Sequence, residues 1–280
     1  MGKKMKLLAF GEILFDIFGS EKHIGGAPLN FACHFSKLGG ESYMASAVGA
    51  DSMGDEELKY LKKYNVKTDF TAQIDGFSTG SCIVTLKDGI PGYNLVRDVA
   101  YDNIPIIKIE KDTHNFDALY FGTLAERNET SSKTLDYIIK EFNYREVFYD
   151  VNIRQTFYDF NKITERLKKA TILKLSRDEM FVFGTNKIDA LFNMVCQKNP
   201  FIKLIILTLD KDGSMVFDAK SKTTFQSRKP CAKVVSTVGA GDSYSACFLY
   251  NYLQKQPLDI CIERATALSE HIVSIKGAID

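Results

Sequence analysis

Short, near-continuous apolar runs alternate with stretches of helical length along this chain of 280 residues, and that alternation limits its fold more than any other feature. "KLLAFGE" near Leu7, "YMASAVG" near Met44, "ALYFGT" near Tyr120, "EVFYDVN" near Phe148, "TILKLS" near Leu173 and "LIILTLD" near Ile206 read as strands buried on both faces. Between them, residues 28–38, 55–64, 131–142, 163–170 and 187–197 read as helices, and 243–253 and 259–275 close the chain. This order predicts an α/β fold: a mostly parallel sheet with helices on both faces.

One region breaks the rhythm. Between Thr79 and Ile104, "SCIVTLK" and "YNLVRDV" read as strands, with "DGIPG" as the turn between them. The inserted hairpin is either an antiparallel edge of the main sheet or a lid over a cleft. A net charge of +1 suggests no general polyanion-binding surface, so no nucleic-acid partner is expected. Lys3, Lys4 and Lys6 precede an apolar run, but Glu12 and Asp16 interrupt it, and no stretch reaches the roughly 18 uncharged apolar residues of a membrane span. The six cysteines form no CxxC pair and the four histidines no HExxH. A cytoplasmic, zinc-free protein with no membrane partner is the expectation.

In an open α/β sheet, ligands bind beyond the carboxyl ends of the strands. Polar residues and glycines collect there: Gly11 and Glu12 with Asp16, then Asp51, Gly122 and Thr123, Asp150 to Arg154, Ser176 to Glu179, and Asp210 to Gly213. Loops are polar in any case, so the accumulation is the signal rather than any one loop. Two glycine-bearing stretches carry more. In "STVGAGDSYSACF", Gly239 and Gly241 open a helix expected to begin at about Asp242 or Ser243, whose first N–H groups can hold a phosphate. No Gly-Lys-Ser/Thr follows, so this is not a Walker A loop, and Tyr244 at the third glycine position rules out a dinucleotide fingerprint. Asp242 is either a helix cap or the acceptor of a proton from an attacking hydroxyl, beside a helix start that stabilises phosphoryl charge. In "GGAPLNFACHF", Gly25 and Gly26 precede Pro28, a good first-turn residue. Asn30 is either capping or solvated, or an amide that binds a polyol hydroxyl.

Together, and in this order, the two stretches resemble the N- and C-terminal motifs of the ribokinase family, the phosphofructokinase-B type sugar kinases. The resemblance runs on through "GEILFD", "VGAD", "FGTLAER", "DVNIR", "LTLDKDGS" and the closing "KGAI", so it covers essentially the whole chain. Within the family, "GEILFD", "GGAPLN", "FGTLAER" and "DVNIR" look most like bacterial fructokinases. The resemblance implies one ribokinase-like α/β domain over residues 1–280, a three-layer sandwich. Its small β lid would be formed by the hairpin at about 79–104 and a nearby segment at about 16–27, and in relatives the lid often also makes a dimer contact. It implies ATP and magnesium as cofactors and a small sugar as partner. It makes Asp242 the catalytic base and the backbone from Val238, chiefly Gly239, Ala240 and Gly241, the anion hole. Asp16, Gly26 and Asn30 fall at sugar-contact positions, and Arg154 where relatives place a basic residue near the substrate or its phosphate-accepting end. Thr208 and Gly213 border the nucleotide. Glu179 matches the acidic member of an Asn-x-x-Glu motif tied to magnesium and phosphate, with Ser176 at the motif's first position.

Three positions depart from the family pattern. Ser176 replaces the Asn; it still hydrogen-bonds a water but is shorter, so magnesium handling departs here. Ser236 replaces an aspartate that helps shape a monovalent-cation site, which counts against potassium activation. Thr266 stands where relatives often carry another small polar residue by the adenine. The favoured expectation is an ATP-dependent kinase of a ketohexose such as fructose, acting at a primary hydroxyl. Open beside it are a kinase of another sugar, sugar acid or nucleoside, and a non-catalytic ligand-binding protein on a kinase fold. Lid side chains such as Tyr93, Leu95, Arg97 and Tyr101 are where specificity is expected.

Overall fold

A computed structural model describes residues 4–87, 90–107, 115–231 and 233–280. Its strands and helices follow in chain order as β1 (Lys6–Phe10), β2 (Leu14–Phe18), β3 (Glu21–Gly25), α1 (Ala27–Lys37), β4 (Glu41–Gly49), α2 (Ser52–Lys63), β5 (Lys67–Ile74), β6 (Gly80–Lys87), β7 (Ile90–Leu95), β8 (Asn115–Phe121), α3 (Glu129–Glu141), β9 (Asn143–Asp150), α4 (Phe160–Leu167), β10 (Ile172–Ser176), α5 (Ile188–Lys198), β11 (Leu204–Thr208), β12 (Ser214–Asp218), β13 (Thr223–Gln226), α6 (Ala240–Leu253) and α7 (Leu258–Val273). Nine strands form one sheet in the order β13-β12-β11-β10-β9-β8-β1-β4-β5. Neighbours from β11 through β5 pair in parallel, and β12 and β13 add an antiparallel hairpin at one edge.

Strand alternation divides the interior into two cores. In β1, Leu8 and Phe10 face a core shared with α3, α4 and α5, while Leu7 and Ala9 face one shared with α1, α6 and α7. Burial on both faces explains why each of the six central strands carries a near-continuous apolar run. The expected α/β sandwich is therefore the observed one. Each predicted helix is present, most with an earlier start. Asn128 caps α3 by accepting from Thr130 N at 2.9 Å, and Asp159 caps α4 by accepting from Asn161 N at 2.7 Å. α4 stops at Leu167, short of the expected Ala170.

The inserted hairpin is not an edge of the main sheet. β6 and β7 belong to a second sheet of order β3-β2-β6-β7, completed by a hairpin from the N-terminal stretch. β2 pairs in parallel with β6, and Asp16 lies opposite Cys82. The second strand is shorter than expected: β7 ends at Leu95, and Asp98 turns the chain with φ 56° into a short 3₁₀ segment at Ala100–Asn103. Asp88 and Gly89 of the expected turn lie outside the described residues. This sheet has its own small core of Leu14, Cys82, Val84, Leu95, Val99, Tyr101 and Leu124.

The seam between the sheets has no room for a side chain at Gly80. A Cβ there would lie 2.6 Å from the Ile13 carbonyl oxygen and 2.6 Å from the Tyr101 ring. Gly80→Ala is expected to lower the unfolding free energy by about 1–3 kcal/mol. Urea denaturation of the variant beside the parent checks this; equal midpoints would contradict the close packing.

Candidate active site

The first helix of the site is α1. Gly26 is its N-cap at φ 117°, and a Cβ at that position would lie 2.5 Å from the Glu12 carbonyl oxygen, so only glycine lets the chain pass β1's end so closely. Pro28 then sits in the first turn, and Asn30 N closes the first intrahelical bond to Gly26 O at 2.9 Å. Asn30 is buried, so neither a capping nor a solvated role describes it.

The second helix, α6, starts at Ala240, earlier than the sequence suggested. Gly239 takes the N-cap in a left-handed conformation, φ 77°, where a Cβ would lie 2.6 Å from Ala278 Cβ. Asp242 is therefore not the cap but a first-turn residue, with its side chain free to point elsewhere. Ser243 N makes the first bond, to Gly239 O at 2.8 Å, which leaves the amides of Gly241 and Asp242 ahead of any intrahelical acceptor. The helix is buried on nearly all sides.

The two helix starts meet through one hydrogen bond. Asn30 Nδ2 donates to Asp242 Oδ2 at 2.8 Å across 212 residues of sequence. Around it opens a cavity of about 470 Å³. Asp16, Gly26, Asn30, Arg154, Gly239, Gly241 and Asp242 all line it. Ala240 is not among the lining residues; its carbonyl accepts from the hydroxyls of Ser243 and Ser269. Tyr93 and Leu95 of the second sheet reach the cavity, whereas Arg97 stacks on Phe157 at 4.7 Å and Tyr101 is fully buried.

Ser176, Glu179, Thr208 and Gly213 lie outside that lining. Ser176 and Thr208 are register partners at the carboxyl ends of β10 and β11. Glu179 accepts two backbone amides, Ile153 N at Oε1 and Ser176 N at Oε2, each at 2.7 Å, and so ties the loop after β9 to the end of β10. Gly213 is required by its hairpin: at φ 93°, a Cβ would lie 2.3 Å from Ser227 Oγ. Thr266 is buried within α7 and its hydroxyl donates to Ile262 O at 2.8 Å. Ser236 Oγ accepts from Val238 N at 3.2 Å. Among the described residues no group of three or more His, Cys, Asp or Glu side chains gathers as a metal site, and no helix is long and apolar enough to cross a membrane.

Sequence reasoning assigned no role to several groups here. Glu12 follows β1, lines the cavity and is buried, with Oε1 accepting from Ala27 N at 3.3 Å. Burial pushes its carboxyl up to about 7, against the attraction of Arg154 and with the repulsion of Asp242. Burial likewise raises Asp16, which Arg154 and His23 oppose. Lys174 on β10 also lines the cavity; its signal is a lysine at an inward position of an otherwise apolar strand. The loop after β9 holds Asn152 at φ 38° and Gln155 at φ 52°, backbone conformations that non-glycine residues rarely adopt. Gln155 Nε2 donates to Tyr93 O at 2.5 Å, joining this loop to the second sheet.

Over 300 residues the chain is 26% identical to an ATP-dependent 6-phosphofructokinase of Thermoanaerobacterium thermosaccharolyticum, covering 99% of this chain and 90% of that one. A sugar kinase of Pyrococcus horikoshii, solved in complex with ATP, superimposes with a TM-score of 0.82 at 27% identity, over 97% of this chain and 93% of the other. A fructokinase of Vibrio cholerae, solved with fructose, ADP and calcium, superimposes with a TM-score of 0.83 at 19% identity, over 98% and 94%. Residues 6–280 match the family described as pfkB family carbohydrate kinase. The chain belongs to the pfkB family of carbohydrate kinases.

Proposed function

We propose that this chain transfers the γ-phosphoryl group of ATP to a hydroxyl of fructose or a closely related neutral sugar. The observation that carries this reading is the Asn30–Asp242 hydrogen bond beside the amides of Gly241 and Asp242, which lie ahead of any intrahelical acceptor. Asp242 would accept the proton of the attacking hydroxyl, with Asn30 fixing its orientation. The amides of Gly241 and Asp242, with Gly239 shaping their turn, would stabilise charge on the transferring group. Asp16 and Arg154, on the wall of the same cavity, would bind sugar hydroxyls. Glu12 and Asp16 oppose one Arg154 at that end, a balance that suits a neutral polyol better than a sugar phosphate.

ATP would lie across the ends of β10 and β11, with Ser176, Thr208 and Gly213 near it. Magnesium supplies charge neutralisation on the nucleotide phosphates. The donors fit an ion that arrives with those phosphates and keeps several waters, with Glu179 near it rather than inside an all-protein cage. The second sheet would act as the lid. Its face opposite Asp16 and Cys82 carries Ile83, 39% exposed, which supports a homodimer through that sheet. Sedimentation should then find a dimer, and Ile83→Glu a monomer; a monomeric parent would refute the dimer.

The central test is ADP production from ATP and magnesium across a panel of sugars, sugar phosphates, sugar acids and nucleosides. Fructose-dependent release that Asp242→Asn lowers by about 10³-fold or more is the expected outcome. Release with another acceptor would keep the mechanism and replace the substrate. Binding of ATP without any turnover would favour a ligand-binding protein.

Glu12 gives a pH signature. Its folded value of about 7 lies above the ordinary 4.5, so the native state binds the proton more tightly than the unfolded chain. The stability it contributes is therefore complete below pH of about 4.5 and is lost as pH rises through about 7. Glu12→Gln should flatten the fall in stability between those values and leave the variant more stable than the parent at pH 8, by on the order of 1–3 kcal/mol. Parallel pH dependence of the two melting temperatures would show that Glu12 is not protonated in the native state.

A further inference from the structure

A buried ion pair lies directly behind the helix start that the phosphoryl group would approach. Lys174 and Asp150 are register partners on adjacent parallel strands β10 and β9. Lys174 Nζ lies 3.0 Å from Asp150 Oδ1. Tyr120 on β8 donates its hydroxyl to Asp150 Oδ2 at 3.2 Å, and its ring stacks on Phe31 of α1 with centroids 3.9 Å apart. Three neighbouring strands thus hold one ammonium in place. Alternation sends it to the face covered by α1 and α6, since Ile172, two residues earlier, belongs to that core. There Nζ reaches the start of α6: a Cβ built on Gly241 would lie 3.5 Å from it.

Stability alone gives little reason for this arrangement. Asp150 is 0% exposed and Lys174 6%. A buried ion pair can often be replaced by apolar residues without loss, because desolvating both charges offsets their attraction. Lys174 is also unlike a pair sealed in a core, because its side chain contributes to the wall of the reaction cavity beside Asp242 and Gly241. Burial disfavours its charge, but Asp150 and Glu179 outweigh that and hold the ammonium protonated.

We infer that Lys174 is a catalytic residue: the cationic floor of the anion site, touching the terminal phosphoryl group of ATP as it transfers, with Tyr120 and Asp150 as its positioning residues. This rests on the kinase reading above. In the step, the acceptor O–H gives its proton to Asp242 and its oxygen forms the new P–O bond. The bond to the leaving ADP oxygen breaks and its electron pair goes to that oxygen. Lys174 neither gains nor loses a proton; it supplies fixed positive charge on the side of the phosphoryl group opposite the lid. Gly241 is then small for a reason, because a side chain there would come between the ammonium and the incoming phosphate.

The test uses the full-length chain with Lys174→Met, Asp150→Asn and the double variant, each examined by thermal unfolding, calorimetric binding of ADP and of the non-hydrolysable analogue AMP-PNP with magnesium, and steady-state kinetics. Lys174→Met alone should melt at lower temperature, because it strands the Asp150 carboxylate. The double variant removes both charges and should recover most of that loss. It should still show kcat reduced by about 100-fold or more, with KM for the acceptor little changed. AMP-PNP affinity should fall by about tenfold more than ADP affinity. A double variant with the parent's kcat overturns the inference, as does one in which AMP-PNP weakens no more than ADP. If the parent turns over no acceptor, the kinase reading fails, and the AMP-PNP to ADP comparison alone still decides for or against Lys174. Should the double variant not fold, Lys174→Gln with Asp150→Asn is the uncharged, hydrogen-bonding alternative, judged by the same readouts.

Discussion

The hydrogen bond between Asn30 and Asp242 joins the starts of two helices that lie 212 residues apart in the chain. It forms only because α1 and α6 pack side by side on one face of the sheet, with Phe35 set edge-on to Tyr250 at 5.4 Å. Both helix starts depend on a glycine that tolerates what no other residue would. Gly26 passes the Glu12 carbonyl and Gly239 passes Ala278, each at positive φ. The site is thus a product of helix packing against β1 and β4 on one side and β10 on the other. A shift of either helix would part the carboxylate from its amide partner before disturbing any strand.

Much of this was legible in the sequence. Every central parallel strand shows itself as an apolar run because both of its faces are buried, and the two glycine motifs mark both helix starts. The edges were not legible. β5 alternates exposed and half-buried residues around Phe70, and β12 and β13 form a hairpin beyond the last parallel strand, so a search for continuous apolar runs passes over them. The strands of the β2–β3 hairpin carry no uninterrupted apolar run of their own, and only the family resemblance pointed to a lid segment at about 16–27. The polar residue that caps a helix and the one that reaches across the fold look alike in sequence. Asp242 is the instance: only the left-handed Gly239 shows that the cap is already taken.

Lys174 was missed for a related reason. In "ILKLS" one charged residue among apolar ones reads as noise, yet its period places it on the inward face, where a lysine needs a partner. That partner, Asp150, ends the neighbouring strand, and the two residues become an ion pair only through sheet register. Register is set by packing over the whole sheet and cannot be read from either segment alone. Asp150 itself titrates at about 6: burial raises it, and Lys174 opposes that shift.

The cavity is divided by charge along its length. At one end, Glu12 and Asp16 share the field of Arg154, and burial drives both carboxyls toward their neutral forms. A neutral carboxyl can both donate and accept a hydrogen bond, whereas a carboxylate only accepts. At the other end, helix amides and Lys174 offer positive potential with no flexible side chain between them, because Gly241 has none. Asp242 stands at the boundary. In the first turn of α6 it is held by Asn30 of α1 on one side and by the helix start on the other. On the kinase reading proposed above, a proton acceptor for a hydroxyl moving toward a phosphoryl group would occupy this intermediate position.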